Sequence, residues 1–142
     1  MNAAASALAR LGDQVLRPLN VTSAQWKVLV VLARQGPARV SDLVERLQHD
    51  QAATSRLVSR MERAGLVKHL DPPDDARAGV VQLTARGRRA YVACDARLRE
   101  VMGALEQRLG ARQQQALRGL LVRFNEALDA EREAARPQRP AR

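Results

Sequence analysis

Residues 50–65 read DQAATSRLVSRMERAG, and this stretch decides the fold. At about 100° per residue a helical wheel gathers Thr54, Leu57, Val58 and Met61 on one side and sets Ala52, Ser55, Arg56, Ser59 and Arg63 opposite. The spacing predicts a helix with one face that packs and one that looks outward. Asp50 suits the N-cap, because its carboxylate can accept from the free amides of the first turn and lies at the positive end of the helix. Gly65 suits the stop, since glycine takes the left-handed conformation just past a helix without a Cβ penalty. The outward face carries small residues and Gln51 in its first two turns, where a merely solvated helix would carry Glu and Lys pairs. Small side chains allow close approach, and the remaining types match base edges: Gln pairs with adenine, Arg with guanine, Ser with donors or acceptors, and an Ala methyl with the thymine methyl. The expected base-reading set is Gln51, Ala52, Ser55, Arg56 and Ser59; a solvated surface helix is the competing reading.

Composition points the same way. A chain of 142 residues with a formal charge of +9 is long enough for one core and favours a polyanionic partner. No apolar run of about 18 residues is present to span a bilayer. The opening MNAAASALARLG lacks a basic n-region and is interrupted by Arg10, so an intracellular, cytoplasmic protein is expected. One cysteine can form neither an internal disulfide nor a thiolate metal site. Neither a cofactor nor a metal is expected. With one Trp, one Tyr and one Phe there is little to stack single-stranded bases on, which leaves double-stranded DNA as the expected partner.

Upstream, Leu8, Leu11, Val15 and Leu16 recur at helical spacing up to Pro18. Thr22 with Gln25 forms a capping box that opens a helix through Trp26, Leu29, Val30, Leu32 and Ala33, ending before Gly36 and Pro37. Trp26 is a candidate lining residue for an effector pocket, although a lone Trp at core spacing is commonly packing. Ser41 is placed as the cap of a short helix carrying Leu43, Val44 and Leu47, after which Gln48 and His49 turn into the Asp50 helix. That arrangement is a helix-turn-helix. His49 stands alone, without the clustered ligands a metal requires.

Past Gly65 the period changes. Residues 66–70 and 80–83 are short, partly β-branched runs separated by Asp71, Pro72, Pro73, Asp74 and Asp75, which predicts a two-stranded hairpin with a mobile tip. Arg77 near that tip could enter the minor groove, or pair with Asp74 or Asp75. Thr84 opens a long helix with Tyr91, Cys94, Leu98, Val101, Met102, Leu105 and Leu109 in steps of three and four, ending at Gly110. A further helix follows through Leu117, Leu120, Leu121, Phe124 and Leu128. These stripes find no sufficient partner in a small winged domain, so a two-fold homodimer is expected. The tail RPQRPAR has no periodicity and is expected to be disordered.

The runs VSDLVERL at 40–47, SRLVSRMERAGLV at 55–67 and DPPDDARAGVVQLTARGR at 71–88 together resemble the MarR (multiple antibiotic resistance regulator) family of winged helix-turn-helix proteins, over about residues 21–89. The resemblance implies a mainly α fold with a small β-hairpin wing, and a homodimeric transcriptional regulator, usually a repressor, dimerised through helices from both termini. It divides the chain into an N-terminal dimerisation helix at 1–20, a winged helix-turn-helix lobe at 21–89, dimerisation helices at 90–135 and a basic tail at 136–142. It maps the recognition helix onto 50–64 and the wing's Asp-x-Arg onto Asp75 and Arg77, with Asp75 as wing support. Family members commonly bind small phenolic or other aromatic effectors, or sense oxidants through a cysteine.

Departures from the family pattern are Ala76 for a second wing basic residue, Gly79 for a β-former, Thr54 for an apolar residue, and a sole cysteine, Cys94, in the long helix after the wing. Cys94 as a redox sensor is accordingly set against Cys94 as a buried small hydrophobe. Ser41, Arg60, Arg63 and Arg77 are assigned to the DNA backbone or minor groove. The rival functions are a basic dimer coating DNA with little sequence preference and an enzyme. The scattered acidic residues and the lone Cys without a partner speak against the enzyme.

Overall fold

Apolar side chains at helical spacing build six α-helices, which accompany a small sheet, in the computed structural model, which describes residues 2–47, 50–70 and 79–134. Helix α1 (Asn2–Leu16) runs into a 3-10 turn at Arg17–Leu19. Pro18 sits at the start of that turn, where its missing N–H is no loss, and Asn20 closes it in the left-handed region at φ 54°. Pro18 thus tightens the chain where a plain stop was expected. Helix α2 (Ser23–Gln35) carries the expected capping box: the Gln25 amide donates to Thr22 Oγ1 at 3.2 Å, and the Thr22 amide donates to Gln25 Oε1 at 2.9 Å. The Ser23 hydroxyl bonds the Asp13 carboxylate, joining α1 to α2.

Strand β1 (Ala38–Arg39) leads into α3 (Val40–Leu47). Ser41 is not the cap of this helix, which already includes Val40. Instead Asp42 Oδ2 accepts the Arg39 amide at 3.1 Å, the work an N-terminal acidic side chain does in a capping box. Helix α4 (Gln51–Arg63), strands β2 (Val67–His69) and β3 (Val80–Leu83), and helices α5 (Ala85–Gln107) and α6 (Ala111–Ala134) follow. The sheet has three antiparallel strands in the order β1-β3-β2, with Ala38 opposite Val81 and Val67 opposite Leu83. The hairpin was expected; its third strand was not. Gly79 enters β3 at φ 77°, a conformation L side chains rarely adopt, and its carbonyl accepts the Val40 amide at 3.1 Å.

Residues Met1–Val101 group into one compact unit and Met102–Arg142 into a second. The core of the first includes Leu16, Val21, Leu29, Leu43, Val58, Met61 and Val81, with Val28 and Cys94 fully enclosed in it. Val28 is sealed, whereas Val30 and Ala33, both expected inside, are half-buried. In the second unit the turn from α5 to α6 is held by Gln114 Nε2, which donates to the carbonyls of Glu106 and Leu109 at 2.6 and 2.9 Å. Most large apolar side chains of α6 face solvent: Leu120 is 62% and Phe124 49% exposed.

One polar group in the core is unpaired. Thr54 is fully buried and its Oγ1 has no hydrogen-bond partner among the described residues. A desolvated hydroxyl without a bond is a cost that a methyl of the same shape removes. Thr54→Val is expected to raise unfolding free energy by about 1 kcal/mol, read as a higher urea midpoint at unchanged slope; a lower midpoint would show that the hydroxyl contributes.

Candidate nucleic-acid interface

Helix α4 is fixed at both ends by its own sequence. Asp50, extended at φ −70° and ψ 157°, accepts the Ala53 amide at 2.8 Å and so satisfies an orphan donor of the first turn. At the other end Gly65 takes φ 69°. Its amide donates to Glu62 O at 2.8 Å and that of Leu66 to Met61 O at 2.9 Å, the paired bonds of a Schellman motif. Between these caps Thr54, Leu57, Val58 and Met61 are buried, so the helix cannot roll about its axis without exposing them.

The opposite face is left to solvent. Gln51, Ala52, Arg56, Ser59, Arg60 and Arg63 are exposed and Ser55 is half-buried, with exposed Ser41 on α3. Arg56 and Arg60 have no hydrogen bond or ion pair among the described residues. Arg63 Nε donates to Ser59 O at 3.4 Å, along its own helix. The face is therefore cationic and small in its first two turns, with Arg56 and Arg60 unpaired among the described residues, which fits phosphate attraction together with close approach to base edges. Asp75, Arg77 and His49 lie outside the described residues, as does the tail.

Burial describes the surroundings of two further candidates. Cys94 is completely enclosed, and burial pushes its thiol up from the ordinary value. A raised, shielded thiol is a poor nucleophile, so its surroundings are those of a core residue. Trp26 is half-buried and stacks on Tyr91 of α5, ring centroids 5.5 Å apart at an interplanar angle of 11°, a contact that fastens α2 to α5. Among the described residues no group of His, Cys, Asp or Glu could hold a metal ion, and no helix is long and apolar enough to cross a membrane.

Sequence reading passed over the joint beside this helix. Thr84 caps α5: its Oγ1 accepts the Gly87 amide at 3.0 Å and lies 2.6 Å from the Gly65 carbonyl, to which it donates. The Thr84 amide donates to Leu66 O at 3.1 Å. The end of α4 and the start of α5 thus share one set of hydrogen bonds. A Thr followed three residues later by a Gly inside a helix was the available signal, since a mid-helix glycine calls for a reason.

The MarR family model matches residues 19–78. The chain is similar to the HTH-type transcriptional regulator FarR of Neisseria gonorrhoeae, 29% identical over 116 residues that cover 82% of this chain and 80% of the relative. The homoprotocatechuate degradative operon repressor of Escherichia coli is 29% identical over 110 residues, covering 78% and 74%. Among solved structures, NadR in complex with 4-hydroxyphenylacetate superposes with a TM-score of 0.69 at 30% identity, covering 86% of each chain. With a two-capped helix presenting a cationic, small-residue face beside a three-stranded sheet, the chain belongs to the MarR family of helix-turn-helix transcriptional regulators.

Proposed function

We propose that the chain acts as a cytoplasmic homodimeric repressor, a binding protein and not an enzyme, whose two α4 helices enter successive major grooves about 34 Å apart on a pseudo-palindromic operator. The observation that carries this reading is the division of α4 into a sealed face and an outward face, Gln51, Ala52, Ser55, Arg56 and Ser59. These five read bases, while Ser41, Arg60, Arg63 and the wing's Arg77, supported by Asp75, hold the backbone and minor groove. The exposed stripe of α6 supplies the dimer contact. A small aromatic acid releases the DNA by favouring one spacing of the two lobes; the 4-hydroxyphenylacetate bound by NadR and the name of the homoprotocatechuate operon repressor support that class, with the half-buried Trp26 as candidate pocket residue.

Selection of bound duplexes from a random pool supplies the operator, and Arg56→Ala then tests the reading face. Loss of a bidentate guanine contact is expected to weaken operator binding by about 1 to 3 kcal/mol and to relax one base position. Unchanged affinity removes Arg56 from the reading set. Equal affinity of the parent chain for random duplex at fixed salt would favour the low-specificity dimer, because specific recognition needs a gap of roughly a thousandfold or more.

A further inference from the structure

The last turn of α4 and the first strand of the wing are joined by one carboxylate. Glu62 Oε1 accepts from the His69 backbone amide at 3.2 Å and lies 3.0 Å from His69 Nδ1. A carboxylate can only accept, so Nδ1 carries the hydrogen. The two bonds do different things. The amide bond satisfies a donor that β3 leaves free, and the ring bond fixes the side chain of the residue that ends β2. One residue further, the Leu70 amide donates to Val80 O at 2.9 Å, so the clamp sits where the strand pair gives way to residues 71–78.

We propose that Glu62 is a positioning residue for DNA binding, holding the base of the wing against the end of α4 through the backbone amide and the ring of His69. This rests on the DNA-binding reading of α4 but assigns no DNA contact to Glu62 itself. Position argues for it: Glu62 is an acidic side chain at the end of a helix whose other exposed charges, Arg56, Arg60 and Arg63, are all cations. Facing a polyanion, a carboxylate there works against affinity by simple charge. Near a helix C-terminus it is also unfavourably placed with respect to the helix dipole. Its geometry supplies the compensating role.

Bonds from the His69 side chain first, and from its amide second, hold the Glu62 carboxyl below its ordinary value. The carboxylate contribution is therefore complete above the ordinary carboxylate range and lost only as pH falls through that lowered value. The other charges carried by the adjoining segments are cations: Arg60 and Arg63 on α4, Lys68 on β2, and Arg86 of α5, whose side chain passes beside Gly65. Strand β3 contributes Val80, Val81, Gln82 and Leu83, none of them ionisable.

The test uses the full chain and a duplex selected for binding by the parent protein, with affinities measured at one pH and constant ionic strength. Binding by the parent chain checks the DNA-binding reading; the variants check the clamp. Glu62→Ala removes the charge together with both bonds, so charge alone predicts tighter binding, whereas loss of the clamp predicts binding weaker by about threefold. Glu62→Gln also loses the charge but keeps an oxygen that can accept, so it should recover the parent's affinity or better. Equal or tighter binding by Glu62→Ala, or a Glu62→Gln protein as weak as Glu62→Ala, overturns the proposal.

Discussion

Gly87→Ala is expected to destabilise the DNA-binding unit by about 3 kcal/mol or more, the largest stability effect of any single methyl added to a glycine in this chain. A Cβ built on Gly87 falls 1.9 Å from the Leu66 carbonyl oxygen. That oxygen cannot retreat freely, because it already accepts the Thr84 amide at 3.1 Å. The glycine is helical, so the requirement is space and not a left-handed backbone. Gly119 of α6 supplies the contrast: nothing lies within 4 Å of its added Cβ, and it points away from the Leu117, Leu120, Leu121 and Phe124 stripe. There Ala should stabilise by about 1 kcal/mol through helix propensity alone. Thermal melts at matched protein concentration should separate the two variants by roughly 10 °C or more. A Gly87→Ala protein melting with the parent would mean that the α4 end and the α5 start are not in the contact described.

The joint at Gly87 also shows where sequence reading gives out. Caps and periods are local, and they were legible: Asp50 on the Ala53 amide, Thr22 with Gln25, Gly65 closing α4, and Thr54, Leu57, Val58 and Met61 turned inward. Residues 80–83 matched β3 to the residue because β-branched side chains bounded by a turn leave few other choices. Strand β1 escaped notice because two residues cannot show an alternation; Ala38 and Arg39 are a strand only by virtue of Val81 and Val80 beside them. Ser41 looked like a cap because its type is right, yet Asp42 does the capping from inside the first turn. Val28 was passed over for Val30 because a helix enclosed on more than one side buries a wider arc than a single stripe predicts. The Glu62 to His69 bond and the Gly87 approach depend on how one element turns back on another, which no helical or strand period encodes.

The same reasoning gives the largest expected effect on DNA binding, from residues that touch no DNA. Leu120 and Phe124 lie one turn apart on α6, 62% and 49% exposed. Covering side chains of this size stabilises by about 1.5 to 3 kcal/mol each, and an exposed stripe continued by Leu117 and Leu121 marks an interaction surface. If a second copy of this chain covers it, the double variant Leu120→Glu with Phe124→Lys should sediment as a monomer while keeping its helix, since Glu four residues before Lys favours the helical state. Operator affinity should then fall by roughly a hundredfold or more, because two lobes on one body bind with an effective concentration that separate lobes lack. The residual binding should be insensitive to half-site spacing, the sign that each lobe acts alone. A double variant that remains dimeric and binds the operator as the parent does would exclude this stripe as the source of the two-fold contact, and the search for it would move to α1 and the end of α5.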